Sequence, residues 1–275
     1  MTVLRTCGVG KVFSNGKIAL ENINIEIQSN SVTTILGHNG AGKTTLINIL
    51  TCYSNPTSGG VYLNGKNIHE DDTLTLGNIG YASINDPLYD ELTVFEFLTL
   101  IARLKGIDDV YAHVNDLLVS NNLVLYKDRL ISALSGGTKR RVSIAMAFIG
   151  GPKLIFLDEP STGVDPENRR ALWDSINKLK SIERVIIMTT HHLEEAEFLS
   201  EDLIIMAKGQ IVSRGSPESI KNAFGQGYSI VVKDASIHLA AIEGVLSTCE
   251  QSVEIDKTAL SSKNTVTINF KQDTS

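Results

Sequence analysis

The chain has 275 residues, 42% hydrophobic and 20% charged, with a formal net charge of −6. That length supports one large core plus a small second unit, and the acidic balance argues against general affinity for nucleic acid or an anionic membrane surface. No apolar run approaches the roughly 18–20 residues of a membrane-spanning helix, and Met1-Thr2-Val3-Leu4-Arg5 leads into a strand-like stretch rather than a signal peptide, so the chain is expected to be soluble.

Residues 1–36 read as short strands, with Glu21–Gln28 alternating polar and apolar like a half-buried strand. The β-like run Thr33-Thr34-Ile35-Leu36 precedes Gly37-His38-Asn39-Gly40-Ala41-Gly42-Lys43-Thr44, a loop of the form G-x-x-x-x-G-K-[ST], and a helical run over Thr45–Leu50 follows. This strand–loop–helix context identifies a phosphate cradle. Gly37, Gly40 and Gly42 turn backbone N–H groups toward one point, Lys43 supplies a mobile positive charge, and the Thr44 hydroxyl suits Mg²⁺. The ligand class is therefore a nucleoside triphosphate with Mg²⁺.

Farther along, Thr57-Ser58-Gly59-Gly60 predicts a turn into a strand beginning at Val61, and Ile79–Ser83 is another strand. A mostly helical segment spans about 92–150. It opens on the capping box Thr93/Glu96, continues with a helix over Val110–Leu118, and includes a third helix starting near Ser135. Strand Leu154–Leu157 comes next, then a helix with Asp165 as N-cap and Pro166 at its first position, running through Trp173 to Leu179. Strand Val185–Met188, helix Leu193–Leu199 and the buried-strand run Leu203–Ala207 complete a βαβα alternation, which predicts a largely parallel, helix-flanked sheet. A helix from Ser216-Pro217-Glu218 to near Gly225 precedes a tail, 227–275. The tail reads as strands Tyr228–Val232 and Thr265–Phe270 around an apolar helix at Ile237–Leu246. Cys7, Cys52 and Cys249 match no metal spacing and read as reduced, mostly packed thiols.

Two further motifs carry chemistry. The apolar strand Leu154-Ile155-Phe156-Leu157 ends in Asp158-Glu159, which places one carboxylate beside a metal ion's water shell and the next where it can polarise an attacking water. Leu134-Ser135-Gly136-Gly137-Thr138 sets a serine and two glycines at a helix N-terminus, a second anion site. One chain rarely needs two such sites unless the second serves a nucleotide held by another subunit.

Phosphate loop, L-S-G-G and Asp-Glu strand end, in this order, resemble the nucleotide-binding domain of an ATP-binding cassette (ABC) transporter over about residues 1–225. The resemblance implies an α/β fold: a P-loop NTPase core with a mixed or parallel sheet flanked by helices, an N-terminal antiparallel β subdomain and a helical signature subdomain over about 92–150. It implies an ABC domain over 1–226 and a small α+β C-terminal extension over 227–275, the possible start of a regulatory domain. It implies that Phe13 stacks on adenine, that Gly37, His38, Asn39, Gly40, Ala41, Gly42, Lys43, Thr44 and Thr45 hold the phosphates, and that Thr44 and Asp158 hold Mg²⁺. Glu159 and His191 are the implied catalytic groups, Thr162-Gly163-Val164-Asp165 resembles the D-loop of the dimer interface, and Ser135, Gly136 and Gly137 serve ATP bound to a second nucleotide-binding domain. The implied activity is ATP hydrolysis coupled to transport, with transmembrane domains as partners at the cytoplasmic face of a membrane.

Finer features resemble the A subfamily, associated with lipid movement: His38 within the loop, Ala147-Phe148-Ile149-Gly150-Gly151-Pro152-Lys153, and Thr190-His191-His192-Leu193-Glu194-Glu195-Ala196-Glu197. In that subfamily cassette and membrane helices share one polypeptide, so the chain resembles an excised domain, although Met1 equally suits a separate subunit. One departure stands out. Where the family carries a glutamine that touches Mg²⁺ and the attacking water, this chain has Ile84, followed by Asn85. Either Asn85 substitutes through a shifted loop or the site hydrolyses slowly, which leaves open a catalytically weak, nucleotide-gated regulatory cassette. A soluble ABC ATPase without a membrane partner is the other alternative.

Overall fold

Two eleven-residue strands open the chain, β1 (Thr2–Val12) and β2 (Ile18–Gln28). The computed structural model describes residues 2–70, 79–84, 88–179, 184–224, 228–233, 253–256 and 265–270. On β2 the inward residues Leu20, Ile23, Ile25 and Ile27 are buried while most of those between them face out. The strands are longer than the short ones the sequence predicts, because irregular register steps let two long strands twist together without breaking. β3 (Val32–Leu36) and α1 (Lys43–Leu50) leave this layer, and β4 (Ser58–Leu63) and β5 (Lys66–Asn67) return to it, giving an antiparallel sheet ordered β2-β1-β4-β5. Ser58 and Gly60 pair with Gly10 and Cys7 of β1, so the predicted turn at 57–60 is largely strand. Cys7 and Cys52 are half-buried, and the Cys52 thiol lies 3.5 Å from the Ile68 carbonyl oxygen; Cys249 lies outside the described residues.

The second layer begins at β6 (Ile79–Ala82). Three helices follow: α2 (Val94–Leu104), α3 (Val110–Ser120) and α4 (Gly136–Ala147). At the start of α2, Thr93 Oγ1 accepts from the Glu96 amide and the Glu96 carboxylate accepts from the Thr93 amide, the predicted reciprocal cap. Then come β7 (Leu154–Asp158), α5 (Pro166–Leu179), β8 (Val185–Thr190), α6 (Leu193–Leu199), β9 (Asp202–Ala207) and β10 (Gln210–Gly215). Asp165 caps α5 through the Asn168 amide, as its sequence position predicts.

These strands form a six-stranded sheet ordered β10-β9-β3-β8-β7-β6, parallel except for the β9–β10 hairpin. β7 and β8 are buried along their whole length, which is why they read as unbroken apolar runs rather than alternating ones. Their side chains still alternate between two cores. Ile155, Leu157, Ile186 and Met188 join the helical side with Phe97, Leu98 and Trp173, while Leu154, Phe156, Val185 and Ile187 join the side of α1 and the antiparallel sheet. Each such side chain contributes about 1.5–3 kcal/mol through burial.

The chain divides into two units, Met1–Pro217 and Glu218–Ser275. At the division lies α7 (Pro217–Phe224). The second unit carries β11 (Tyr228–Lys233), β12 (Val253–Asp256) and β13 (Thr265–Phe270), an antiparallel sheet ordered β11-β13-β12. The two predicted tail strands are present, and β12 is additional to the expected elements. The helix expected at Ile237–Leu246 lies outside the described residues, as does Asn85.

Candidate nucleotide site

Register brings the motifs together. Leu36 at the end of β3 pairs with Thr190 of β8, and Asp158 at the end of β7 pairs with Thr189. Three neighbouring parallel strands thus end level, and their next residues (Gly37, Glu159 and His191) leave the sheet at one edge. This is the carboxyl end of the strands, where open α/β sheets hold ligands.

The loop after β3 turns directly into α1. Gly42 caps the helix at φ 105, a left-handed conformation, and a Cβ there would lie 2.7 Å from the Ala19 carbonyl oxygen. Gly37 has a different role from the one expected of it: it serves close packing, since a Cβ would lie 2.5 Å from the Met206 carbonyl of β9. Lys43 is also not free to move. Its ammonium donates to the Gly37 carbonyl at 2.7 Å and the His38 carbonyl at 3.3 Å, and pairs with Glu159 Oε1 at 3.1 Å. Both partners of this ion pair are almost wholly buried, at 6% and 7% side-chain exposure.

Glu159 is held from two sides, because His191 Nδ1 lies 2.6 Å from its other oxygen, Oε2. Its backbone adopts φ 50, sparsely populated for a residue with a side chain. The Glu159 amide secures that turn by donating to the Thr189 carbonyl at 3.1 Å and its hydroxyl at 3.0 Å. Burial pushes the Glu159 carboxyl up, but hydrogen bonds and charge from Lys43 and His191 outweigh it, so the group lies below the usual range and is ionised.

Asp158 is deeper. Thr189 Oγ1 donates to its Oδ1, and Thr44 Oγ1 lies 3.5 Å from the same oxygen. Burial raises its carboxyl above the usual range, against those two hydroxyls. A hydroxyl and a carboxylate this close, at the mouth of a phosphate loop, suit a small hard cation that completes its shell with phosphate and water. Among the described residues no group of three His, Cys, Asp or Glu is placed to hold a metal ion.

An open cleft of about 450 Å³ collects these groups except Asp158, which stays buried beside Thr44. Its lining includes Phe13, Asn39, Gly40, Gly42, Lys43, Thr44, Thr45, Ile84, Glu159, Thr162 and His191. Phe13 stands exposed at 42%, as a stacking platform requires. Gly37, His38 and Ala41 shape the loop from behind through their carbonyls. Ser135, Gly136 and Gly137 are absent from the lining. Ser135 caps α4 through the Thr138 amide and is exposed with Gly136, while Gly137 is half-buried beside Val164. Ile84 does line the cleft, so an apolar side chain occupies the place of the missing glutamine.

Sequence reading missed several supports. Lys17 and Lys208 add positive charge to the cleft walls; the β9–β10 turn that carries Lys208 is tied to the phosphate loop where the Gly209 amide donates to the Ala41 carbonyl at 2.9 Å. Arg140, buried on α4, donates to the carbonyls of Asp158 at 2.6 Å, Pro160 at 2.9 Å and Ser83. Lysines and arginines outside a motif carry no periodic signal that could single them out.

Comparison with known proteins matches residues 20–162 to the family described as ABC transporter. The chain is 40% identical over 229 residues to the mouse glucosylceramide transporter ABCA12, covering 82% of this chain and 9% of that protein. It is 37% identical over 244 residues to the mouse retinal-specific phospholipid-transporting ATPase ABCA4, covering 86% and 10% respectively. It thus spans about a tenth of the length of these relatives. Among solved structures, the dimeric post-hydrolysis state of the ATP-binding cassette MJ0796 bound to ADP and Pi superposes with a TM-score of 0.70 at 25% identity, covering 78% of this chain and 98% of that one.

Proposed function

The chain belongs to the ABC transporter family, and from that premise we propose that it is the ATP-binding, ATP-hydrolysing cassette of a membrane transporter. The observation that carries this reading is the convergence of Lys43, Thr44, Glu159 and His191 on one cleft, with Asp158 buried beside Thr44. Phe13 takes the adenine ring, Gly40–Thr45 and Lys43 take the phosphates, and Thr44 with Asp158 would hold Mg²⁺. The bound ion would neutralise phosphate charge as it shifts during transfer.

The chain's own residues order the events. Lys43 now neutralises Glu159. A triphosphate in the loop competes for that ammonium, because several phosphate charges outbid one carboxylate. Glu159, released from Lys43 but still held by His191, is then an ionised base able to orient a water toward the γ-phosphate. Catalysis of this kind is mostly positioning and charge stabilisation.

The second helix N-terminus, at Ser135–Gly137, lies outside the cleft and has no triphosphate of its own to bind. We assign it to the ATP of a partner cassette, with two cassettes meeting head to tail; that the cassette MJ0796 is dimeric supports pairing. Closure on ATP and release after hydrolysis would work membrane domains in cis or trans. Exposed apolar side chains on the helical segment suit that coupling: Leu104, Tyr111 and Leu125 are exposed, and Phe95, Leu100, Arg103 and Tyr111 line a groove there. Membership of a transporter family supports a place at the cytoplasmic face of a membrane; among the described residues no helix is long and apolar enough to cross one. The names of its relatives, glucosylceramide and phospholipid transporters, support lipid as the transported class. The apolar Ile84 in the cleft favours a second reading, a slow cassette that gates more than it pumps.

Glu159→Gln tests the assignment. The variant is expected to keep ATP binding, to lose turnover by about 1,000-fold, and to accumulate as an ATP-bound dimer in light scattering. Hydrolysis at the parent rate would remove Glu159 from the mechanism.

A further inference from the structure

One buried acid has no part in the cleft. Glu195, on α6, is wholly inaccessible to solvent. Its Oε1 accepts from Trp173 Nε1 of α5 at 3.1 Å, and its Oε2 accepts from the Thr190 hydroxyl. The same hydroxyl accepts from the His192 amide at 3.0 Å, while the Thr190 carbonyl accepts from the Gly37 amide at 3.2 Å. His191 therefore sits between two residues joined by one hydroxyl, and that hydroxyl is aimed by Glu195. The N-cap of α6, His192, makes no side-chain cap bond. Trp173 ties Glu195 of the short α6 to the fourteen-residue α5.

We propose that Glu195 is a positioning residue that fixes the imidazole of His191 against Glu159, acting through the hydroxyl of Thr190. The proposal rests on the reading of this cleft as an ATP-hydrolysing site. Burial holds the Glu195 carboxyl above its usual range, desolvation being the main cause. A glutamine of the same shape can keep both contacts, its oxygen accepting from Trp173 and its NH₂ donating to Thr190 Oγ1 in place of the bond the carboxyl accepts there.

The test uses the full chain labelled at histidine Cε1, with turnover measured in parallel. Thr190→Val removes the hydroxyl while nearly preserving shape, and is expected to shift the His191 ring resonance and to lower kcat about 10-fold with KM changed less than about 2-fold. Glu195→Leu is expected to do the same, and Glu195→Gln to recover most of the loss. In a His191→Ala background, Thr190→Val should have no further effect on kcat, because its action passes through the missing ring. An unchanged His191 resonance in Thr190→Val, or losses that add fully to those of His191→Ala, would overturn the proposal. Should Glu195→Leu fail to fold, Thr190→Val decides alone. A parent chain that neither binds nor hydrolyses ATP, yet shows the resonance shift, would sink the ATPase reading and leave the positioning role standing.

Discussion

Two helices of this chain begin at glycine-rich anion sites, and they are built in opposite ways. α1 starts inside a completed cleft. Its first residue, Lys43, is buried and charge-paired, and its cap, Gly42, is in a left-handed turn packed against Ala19 and Leu20. α4 starts on an open surface. Its cap, Ser135, and first residue, Gly136, are exposed, and a Cβ at Gly136 would meet nothing closer than the Gly163 carbonyl oxygen at 3.5 Å. Both offer backbone N–H groups and a positive helix end. Only the first adds a cation, a hydroxyl beside a buried carboxylate, and walls. The difference teaches that an anion site can be designed to hold a ligand or merely to cover one, and that burial of charge separates the two.

Mutation should sharpen this contrast. Among the variants that separate the two helix starts, the largest effect is expected from Lys43→Ala, which removes the cleft's buried ammonium and leaves Glu159 without it. Nucleotide affinity in a titration should fall about 100-fold or more; unchanged binding would remove the phosphate-loop assignment. Next comes Gly136→Asp. The space around Gly136 accepts a side chain, and an acid suits the first turn of a helix, so the fold and monomer nucleotide binding should persist. The new negative charge would repel a partner's γ-phosphate, and turnover should drop roughly 30-fold with dimerisation lost. If turnover survives, α4 does not cover a partner's nucleotide. The smallest effect is expected from Ile84→Gln, which restores a polar group to the cleft wall. Turnover should rise about 3-fold, with affinity nearly constant; no change would mean that Ile84 does not limit the reaction.

Much of this molecule was legible from residue order, for reasons that differ between regions. The capping box at Thr93/Glu96 and the Asp165-Pro166 start read correctly because caps are local: their hydrogen bonds span three residues. Strands β7 and β8 read correctly because burial on both faces leaves apolar runs. The two-residue β5, the outer hairpin strand β10 and β12 carried no such mark, and Ser58–Gly60 looked like a turn because glycine's permissiveness does not say which conformation it takes. Within the site, Lys43, Asp158 and Glu159 were found by spacing. Thr189, Thr190, Arg140, Lys208 and Glu195 were not singled out, since each acts on a residue distant in sequence or through its backbone.

What residue order determined by itself was the ligand class and the chemistry. A glycine-rich turn before a lysine and a hydroxyl, and an apolar strand ending in two acids, have few other physical uses. Tertiary structure alone decided how those groups stand before nucleotide arrives. The level ends of β3, β7 and β8 bring Lys43, Glu159 and His191 within hydrogen-bond distance, and there the buried ammonium and carboxylate neutralise each other. Charges removed from water must find partners, and which partners they find depends on strand register, a property of the folded sheet.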